Sequence, residues 1–307
     1  MTLADQATGT PGARGGRITA ARRRVAGQLH RRPRVRLSVL LSAPLLWLVV
    51  AYLGSLAALF AAAFWTTNVF TGDVVKTYTT QNFHDLLTMG VYRTITLRSV
   101  LIAVAVTVVD VVIAFPMAFY MAKVASPRAR RRLVIAIMTP LWAGYLVKAY
   151  AWRVLLATGG PIDWVLDPFG LHGPGYGVPA TVMTLAYLWL PYMILPIYAG
   201  LERLPDSLLD AAGDLGARSF RTFRTVVWPT AFPAVVAGSI FTFSLSLGDY
   251  ITVKLVGGKS QMIGNVVYDN VGVAGNLPFA AAVATVPVAV MVVYLLAVRR
   301  TGALENL

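Results

Sequence analysis

The chain has no cysteine, only three histidines and few charged side chains in its 307 residues. Without cysteine there is no disulfide framework and no thiolate chemistry. His30, His84 and His172 lie far apart in the sequence, and no H-E-x-x-H pattern is present, which argues against a metal site. Charged residues make up 13% of the chain, about half the share of a soluble domain. We see no nucleophile–base constellation, so the sequence does not favour an enzyme.

Long apolar stretches dominate the sequence instead, and hydrophobic residues account for 57% of the chain. Each stretch exceeds the ~20 residues that a helix needs to cross a hydrocarbon core of about 30 Å. None shows the alternation of barrel strands, and in lipid only helices or closed barrels satisfy every backbone hydrogen bond. The sequence therefore predicts an all-α, polytopic membrane protein with six transmembrane helices. The predicted spans are Leu37–Trp65, Ser99–Ala122, Leu133–Leu156, Val178–Leu201, Thr230–Val253 and Leu277–Val298.

Positive charge is concentrated in alternate segments between these spans. If the N-terminus is cytoplasmic, the inside segments hold 20 of the 27 Lys and Arg residues, as the positive-inside rule requires. This distribution accounts for the net charge of +14 without a nucleic-acid partner. We therefore expect both termini to lie in the cytoplasm. The inside segments are Met1–Arg36, Lys123–Arg132, Glu202–Pro229 and Arg299–Leu307.

Three regions are predicted along the chain. Residues 1–36 are rich in arginine, glycine and alanine without hydrophobic periodicity, which predicts a disordered, basic cytoplasmic leader that contacts anionic lipid. Residues 37–300 form one six-helix membrane domain, whose first apolar stretch is too long for the core of a cleaved signal peptide. Residues 301–307 form a short cytoplasmic tail.

A short charged segment, DAAGDLGARSFRTFRTVVWP (Asp210–Pro229), separates the fourth and fifth predicted spans. Apolar residues recur there at helical spacing, and Gly216 follows them, where a left-handed cap is needed. Asp206 or Ser207 can cap the start of this helix, and Ser219 can cap a second one. The pattern predicts two short helices on the cytoplasmic surface, too polar to insert. The residues at helical spacing are Leu208, Ala212 and Leu215.

The same segment resembles the EAA signature of ABC importer permeases, which has an acidic residue, two alanines, a glycine and a closing isoleucine-x-leucine-proline. The spacing is kept throughout, with Asp in place of Glu, Val226 in place of Ile and Trp228 in place of Leu. LWLPYMILPIYAGLERLP, GSIFTFSLSLGDYITVKLVGG, GGPIDWVL and NLPFAAAVATVPV resemble the spermidine/putrescine-type branch of the family, and the resemblance runs from Ser38 to Arg300. The signature positions are Asp210, Ala211, Ala212, Gly216 and Val226-Val227-Trp228-Pro229.

This resemblance implies a permease subunit of the bacterial inner membrane that does not hydrolyse ATP itself. The implied partners are two cytoplasmic ABC ATPase subunits, a second homologous permease or a copy of this chain, and an extracytoplasmic solute-binding protein. ATP and Mg would be bound by the partner subunits, and this chain would bind no cofactor. The segment VGGKS (Val256–Ser260) has Val253 where a phosphate loop needs glycine.

In this family the signature helix fits a cleft in the ATPase, which makes residues 202–229 the coupling region. The implied ATPase-coupling residues are Asp210, Ala211, Ala212, Gly216, Arg218 and Pro229. An amphipathic interfacial helix without a partner is the alternative for this region.

Ionisable side chains inside the predicted spans need a reason, because one at the bilayer centre costs ~2.5–3.5 kcal/mol. Asp110 lies midway along the second span, where it either bonds to a neighbouring helix or lies on a translocation path. Lys148, in the third span, either reaches outward or pairs with Asp110 or Asp249. The residues expected to share one face of this span are Trp142, Tyr145, Ala149 and Trp152.

Asp249 and Tyr250 end the fifth predicted span. A carboxylate beside an aromatic ring suits a cationic amine, through charge pairing and cation–π contact, although a helix-capping role for Asp249 is equally consistent with the sequence. The candidate substrate path contains Asp110, Tyr145, Lys148, Trp152, Asp249 and Tyr250.

The function predicted from these features is import of a small solute, a polyamine (spermidine or putrescine) or a related cationic amine. The alternatives are a permease for another solute, or a self-sufficient secondary transporter or channel. A secondary transporter would show half-repeats with broken helices and buried ion ligands, which the sequence does not reveal.

Overall fold

The computed structural model describes residues 33–68 and 70–299. Most of the predicted leader and all of the predicted tail, residues 301–307, lie outside this described part. The first helix begins at Pro33, four residues before the first predicted span, so residues 33–36 are helical. Proline suits the first turn of a helix, where its missing N–H has no intrahelical partner to lose.

The chain divides into two compact units between Leu59 and Phe60. In the first unit, helix α1 (Pro33–Trp47) continues through a π-helical turn (Leu48–Leu53) into α2 (Gly54–Ala62), which crosses the boundary.

The second unit contains a short antiparallel ribbon and the remaining helices. The ribbon pairs β1 (Thr66–Thr67) with β2 (Val74–Val75). The helices are α3 (Gln81–Thr88), α4 (Gly90–Phe119), α5 (Pro127–Trp142), α6 (Tyr145–Leu155), α7 (Pro161–Leu166), α8 (Val178–Glu202), α9 (Asp206–Asp214), α10 (Ser219–Thr222), α11 (Trp228–Leu247), α12 (Ile251–Val256), α13 (Ile263–Gly272) and α14 (Leu277–Arg299). A π-helical turn at Tyr120–Val124 extends α4, and a second one at Phe223–Val227 joins α10 to α11. A 3₁₀ turn, Asp167–Phe169, follows α7.

The described residues include five helical stretches that are long and apolar enough to cross a membrane, and a sixth if α5 and α6 count as one bent span. The predicted all-α, polytopic fold is therefore confirmed. The five stretches are Leu41–Ala62, Gly90–Val124, Val178–Glu202, Ser219–Leu247 and Leu277–Arg299.

The third predicted span is not one straight helix. Helices α5 and α6 meet at an angle of 94°, with Ala143 and Gly144 extended between them. Pro140 lacks the N–H that would bond to the carbonyl four residues earlier, which weakens the last turn of α5. The break places Trp142 on α5 and Tyr145 on α6, so the helical face predicted to carry both residues does not exist.

The fifth predicted span is wrong at both ends. A continuous helical stretch begins at Ser219 and ends at Leu247, and the chain then turns at Gly248 before α12 begins. The predicted second short helix is therefore the beginning of this span. Pro229 lies just inside α11, after the wide π-helical turn, where a proline ring is tolerated.

Helix α8 packs against both α4 and α11 and forms the centre of the second unit. The helices approach closely where small residues lie, because a Cβ on Gly238 would come 3.1 Å from the Cα of Met193. At a second point of the same contact between α8 and α11, a Cβ on Gly200 would lie 2.5 Å from the Cβ of Ala234. Close backbone approach of this kind stabilises helix pairs in lipid, where the hydrophobic effect between helices is absent.

The loop between α6 and α8 is held together by a carboxylate. The Asp163 side chain accepts hydrogen bonds from the backbone N–H groups of Gly159 (2.6 Å) and Gly173 (2.5 Å). These two donors hold the pKa of Asp163 below its usual range. Trp164 and Phe169 lie exposed on the same loop.

Candidate functional site

The signature segment forms a hairpin whose first limb is α9, and whose second limb runs through α10 and the π-helical turn to Trp228, the first residue of α11. Gly216 has φ +73°, and the N–H of Ala217 donates to the carbonyl of Ala212 at 2.9 Å. This is the left-handed helix end that the sequence predicted at Gly216.

The predicted caps of the hairpin are not formed. Helix α9 starts after Pro205 without a side-chain cap, and the Asp206 carboxylate lies 2.8 Å from Lys123 Nζ instead. The second limb starts after Arg218, and the Ser219 hydroxyl caps no backbone group there. A close lysine competes successfully for Asp206, which sequence reasoning on local patterns did not consider.

Several signature side chains on the first limb and at the turn of the hairpin point away from the bundle. Asp210, Ala211 and Arg218 are exposed, and Leu215, at the end of the predicted apolar stripe, is 89% exposed. The contact with the core comes from Leu209 instead. The stripe that the sequence predicted is therefore available to a partner rather than used in the fold.

The second limb of the hairpin packs through aromatic rings. Phe223 meets Phe115 of α4 edge to face, with ring centroids 5.4 Å apart, and Trp228 lies 5.5 Å from the same ring. Val227 is buried beside them. These contacts connect the hairpin to the predicted second span.

A second cluster forms where the two helix breaks meet. Tyr145 is the first residue of α6, Asp249 precedes α12, and these helices pack against each other. The Tyr145 hydroxyl donates a hydrogen bond to Asp249 and lies 2.7 Å from the Thr252 hydroxyl. Asp249 also accepts from the backbone N–H of Thr252 at 2.8 Å, within the first turn of α12. This last contact is of the kind that the capping interpretation of Asp249 requires.

The cluster borders a cavity of about 270 Å³. Trp189 of α8 stacks on Tyr145 with ring centroids 5.9 Å apart, and its buried Nε1 has no hydrogen-bond partner in the described part. Asp249 is 7% exposed, so its charge lies in a largely dry, aromatic surrounding. The lining residues are Tyr145, Trp189, Leu245, Gly248, Asp249, Tyr250 and Ile251.

Three of the predicted path residues lie together at this cavity and three do not. Tyr145, Asp249 and Tyr250 line it, and Tyr250 also stacks on Tyr268 at 4.8 Å. Trp152 packs on Tyr187 instead.

Lys148 is half-buried, and no ion pair involving it occurs among residues 33–68 and 70–299, so the alternative in which it pairs with Asp110 or Asp249 is not formed there. Asp110 is fully buried in α4, and neither carboxylate oxygen has a hydrogen-bond partner in the described structure. The predicted bond to a neighbouring helix is therefore absent, and a role for Asp110 in the path stays a prediction.

Sequence reasoning missed Trp189 and Thr252. Trp189 lies in an apolar run, where the sequence pattern does not distinguish a residue that lines a cavity from one that faces lipid. Thr252 has no feature in the sequence that indicates a functional role. The one available signal for Trp189 was Pro191, two residues later, because a proline inside a span marks a departure from ideal helix packing.

Lys254, five residues after Asp249, is paired with other groups and does not compete with a cationic ligand there. Its Nζ lies 2.8 Å from Asp269 and 3.8 Å from the centre of the Tyr268 ring. Its charge is therefore compensated by groups of α13.

The structure removes one argument against a secondary transporter, because it does contain broken helices and a buried, unpartnered carboxylate. The distinction between transporter classes consequently depends on relatedness to known proteins.

The profile of a family described as binding-protein-dependent transport system inner membrane component matches residues 87–300. The chain is similar to the inner membrane ABC transporter permease protein YdcU of Escherichia coli, with 44% identity over 299 residues that cover 92% of this chain and 95% of YdcU. It is also similar to the spermidine/putrescine transport system permease protein PotB of Haemophilus influenzae, with 30% identity over 233 residues that cover 74% of this chain and 81% of PotB.

Two solved structures share the fold. A chain of a bacterial ABC transporter involved in the import of the acidic polysaccharide alginate matches with a TM-score of 0.68 and 14% identity, over 91% of this chain and 98% of that one. A chain of the MetNI methionine ABC transporter matches with a TM-score of 0.51 and 19% identity, over 69% of this chain and 96% of that one.

Proposed function

Because the chain belongs to the family of binding-protein-dependent transport system inner membrane components, and is therefore a multi-pass permease subunit of an ABC importer, we propose that it forms the membrane path for a cationic amine. Spermidine and putrescine are the proposed solutes. The permease itself is not an enzyme, and ATP hydrolysis belongs to separate subunits of such transporters.

The proposed partners are two ABC ATPase subunits that bind ATP and Mg, a second permease or a copy of this chain, and an extracytoplasmic solute-binding protein. The exposed hairpin supports an ATPase partner, because Asp210, Ala211 and Leu215 offer a small, partly apolar surface that the bundle leaves uncovered. We place this hairpin and both termini in the cytoplasm, which follows from the positive-inside rule.

The carboxylate of Asp249 in its aromatic cavity is the observation on which the amine proposal depends. A buried charge needs a partner, and Asp249 is surrounded by neutral donors rather than by a cation. The aromatic side chains of Trp189, Tyr145 and Tyr250 line the same cavity, and aromatic rings attract an ammonium group by cation–π contact. The name of PotB agrees with this chemistry, whereas the name of YdcU specifies no solute.

The test is uptake of radiolabelled putrescine and spermidine by cells that express the full transporter with Asp249→Asn. We expect the solute concentration for half-maximal uptake to rise about tenfold, because a desolvated charge contact is worth about 1.4 kcal/mol or more. Asparagine keeps the size of the side chain and an acceptor for Thr252.

Asp73→Asn, the same chemical change in the exposed turn between the ribbon strands, is the matched control and should leave the uptake curve unchanged. An unaltered curve for Asp249→Asn at normal expression would remove the amine site, although not the permease assignment.

A further inference from the structure

The segment between α4 and α5 carries cations of two kinds. Lys123 and Arg130 are held in place by several partners each. Arg128, Arg131 and Arg132 are exposed, and the described residues include no ion pair to any of them. Charges that only set membrane orientation need no particular partner, so the bonds of the first two residues require another explanation.

Lys123 closes the corner between α8 and α9. Its side chain is 8% exposed, and its Nζ donates to the carbonyl of Leu204 and to the Asp206 carboxylate at 2.8 Å. These acceptors stand immediately before and immediately after Pro205. The corner is the short connection through which α9 would otherwise swing on the end of α8, and one ammonium group fixes both of its sides.

Arg130 fastens the same corner from the other side. Its Nε and Nη2 donate to the carbonyls of Met121 (3.0 Å) and Ala122 (2.9 Å) at the end of the α4 stretch. Its Nη1 lies 3.3 Å from Glu202, the last residue of α8. The guanidinium therefore joins the carbonyls that end one span to the carboxylate that ends another.

The second limb of the hairpin contacts the same span through Phe115, as described above. Both limbs are thus attached to α4, one by charged hydrogen bonds and one by aromatic packing.

We propose that Lys123 and Arg130 are positioning residues that make the coupling hairpin and α4 move as one body during the ATP cycle. This inference rests on the proposed docking of an ATPase at the hairpin. A displacement of the hairpin is then transmitted to α4, which contains the buried Asp110. Without these contacts, the chain would bend at Pro205 instead.

The absence of cysteine allows a direct measurement. Spin labels are placed at Ser207→Cys on α9 and Val112→Cys on α4, both exposed positions, and the distance between them is measured by pulsed electron paramagnetic resonance. The full-length chain is studied in detergent alone and together with the ATPase that co-purifies with it. In the parent chain we expect one narrow distance distribution that ATP and vanadate do not change.

The test variant is Lys123→Gln with Arg130→Gln, and the matched control is Arg128→Gln with Arg131→Gln. Each removes two positive charges from the same segment, so their effects on net charge and orientation are equal. We expect the test variant alone to show a second, ATP-dependent distance, with the population of the bent corner raised about tenfold, which corresponds to about 1.4 kcal/mol.

Equal distributions for the test and control variants, with and without nucleotide, would overturn the inference. A distribution that broadens without responding to nucleotide would show that the two cations only stabilise the corner, which also contradicts it. Failure of any ATPase to co-purify with the parent chain would count against the proposed function instead, whereas equal distributions of the two variants in detergent alone would count against this inference only.

Discussion

Asp110 and Gly216 are single residues whose surroundings explain why they are unusual for their positions. Asp110 places a carboxyl group inside a helix bundle without a hydrogen-bond donor among the described residues, and Gly216 adopts a left-handed conformation that side chains disfavour. Gly216 serves the fold by ending α9, whereas the buried Asp110 does not improve the fold, which indicates a demand that comes from function.

Asp110→Ala should stabilise the protein while impairing transport. The unpaired carboxyl costs free energy in the bilayer interior, and its removal should exceed the cost of the small cavity, with a net gain of about 2 kcal/mol. Thermal unfolding in detergent, followed by size-exclusion chromatography, measures the gain. Thr107→Ala, one turn earlier in α4, serves as the control, and a lower midpoint for Asp110→Ala would show that an unseen partner satisfies the carboxyl.

Gly216→Val should leave the chain folded and abolish ATP-driven uptake. A Cβ at this position meets no atom within 4 Å, so the effect comes from the backbone strain of a β-branched residue at φ +73°, about 1–2 kcal/mol. Hydrogen exchange of the α9 amides should accelerate in Gly216→Val. Gly213→Ala, at a helical position with equally open space, should slow that exchange, and parallel behaviour of the two variants would contradict the strain argument.

Helices α8 and α11 show how elements are fitted to each other in this bundle. They approach closely at Gly238 and Met193, where a side chain would collide with backbone atoms. The same α11 is continuous with the second limb of the hairpin, so the packing of this pair determines where the hairpin lies.

Gly238→Val should force α8 and α11 apart and lower stability by about 1–3 kcal/mol, the usual range for overpacking. The midpoint of thermal unfolding in detergent is the measurement. Gly54→Val in α2, where a Cβ would meet nothing within 4 Å, is the matched substitution. Similar midpoints for both variants would mean that the helix crossing can yield without cost.

The sequence was sufficient to predict the membrane-spanning helices, but not to predict where they are interrupted. Hydropathy indicates an apolar run of about 20 residues, but it averages over the two extended residues, Ala143 and Gly144, that turn α6 by 94°. Likewise Thr230–Val253 reads as one run, although Gly248 divides it. Tyr145 and Asp249 come together only at these breaks. The sequence could therefore indicate single residues of the candidate path, but not which of them lie close together, and it could not identify Trp189.

At the scale of the whole molecule, the first limb of the hairpin is among the parts that the bundle leaves uncovered. ATP hydrolysis belongs to separate subunits of such transporters, so the permease depends on another chain for energy, and the exposed signature residues are the surface that we propose for that chain.

Ala211→Arg should prevent stable association with the ATPase without unfolding the permease. Ala211 is exposed, so a long charged side chain is accommodated by the monomer but blocks a close partner. Co-purification of tagged permease from membranes measures the ratio of ATPase to permease, which should fall at least about tenfold. Gln81→Arg on α3 is a comparable change far from the hairpin in sequence, and an undiminished ratio for Ala211→Arg would exclude docking at this surface.

The continuity from Ser219 to Leu247 makes this stretch a lever with unequal arms. With the close crossing at Gly238 as the pivot, the arm toward the hairpin is about 29 Å long and the arm toward Asp249 about 14 Å, at 1.5 Å per residue. A sideways displacement of the hairpin would therefore arrive beside Asp249 reversed in direction and halved in size. Such a rod would let a motion driven at one membrane surface loosen the hydroxyl–carboxylate contact near the other.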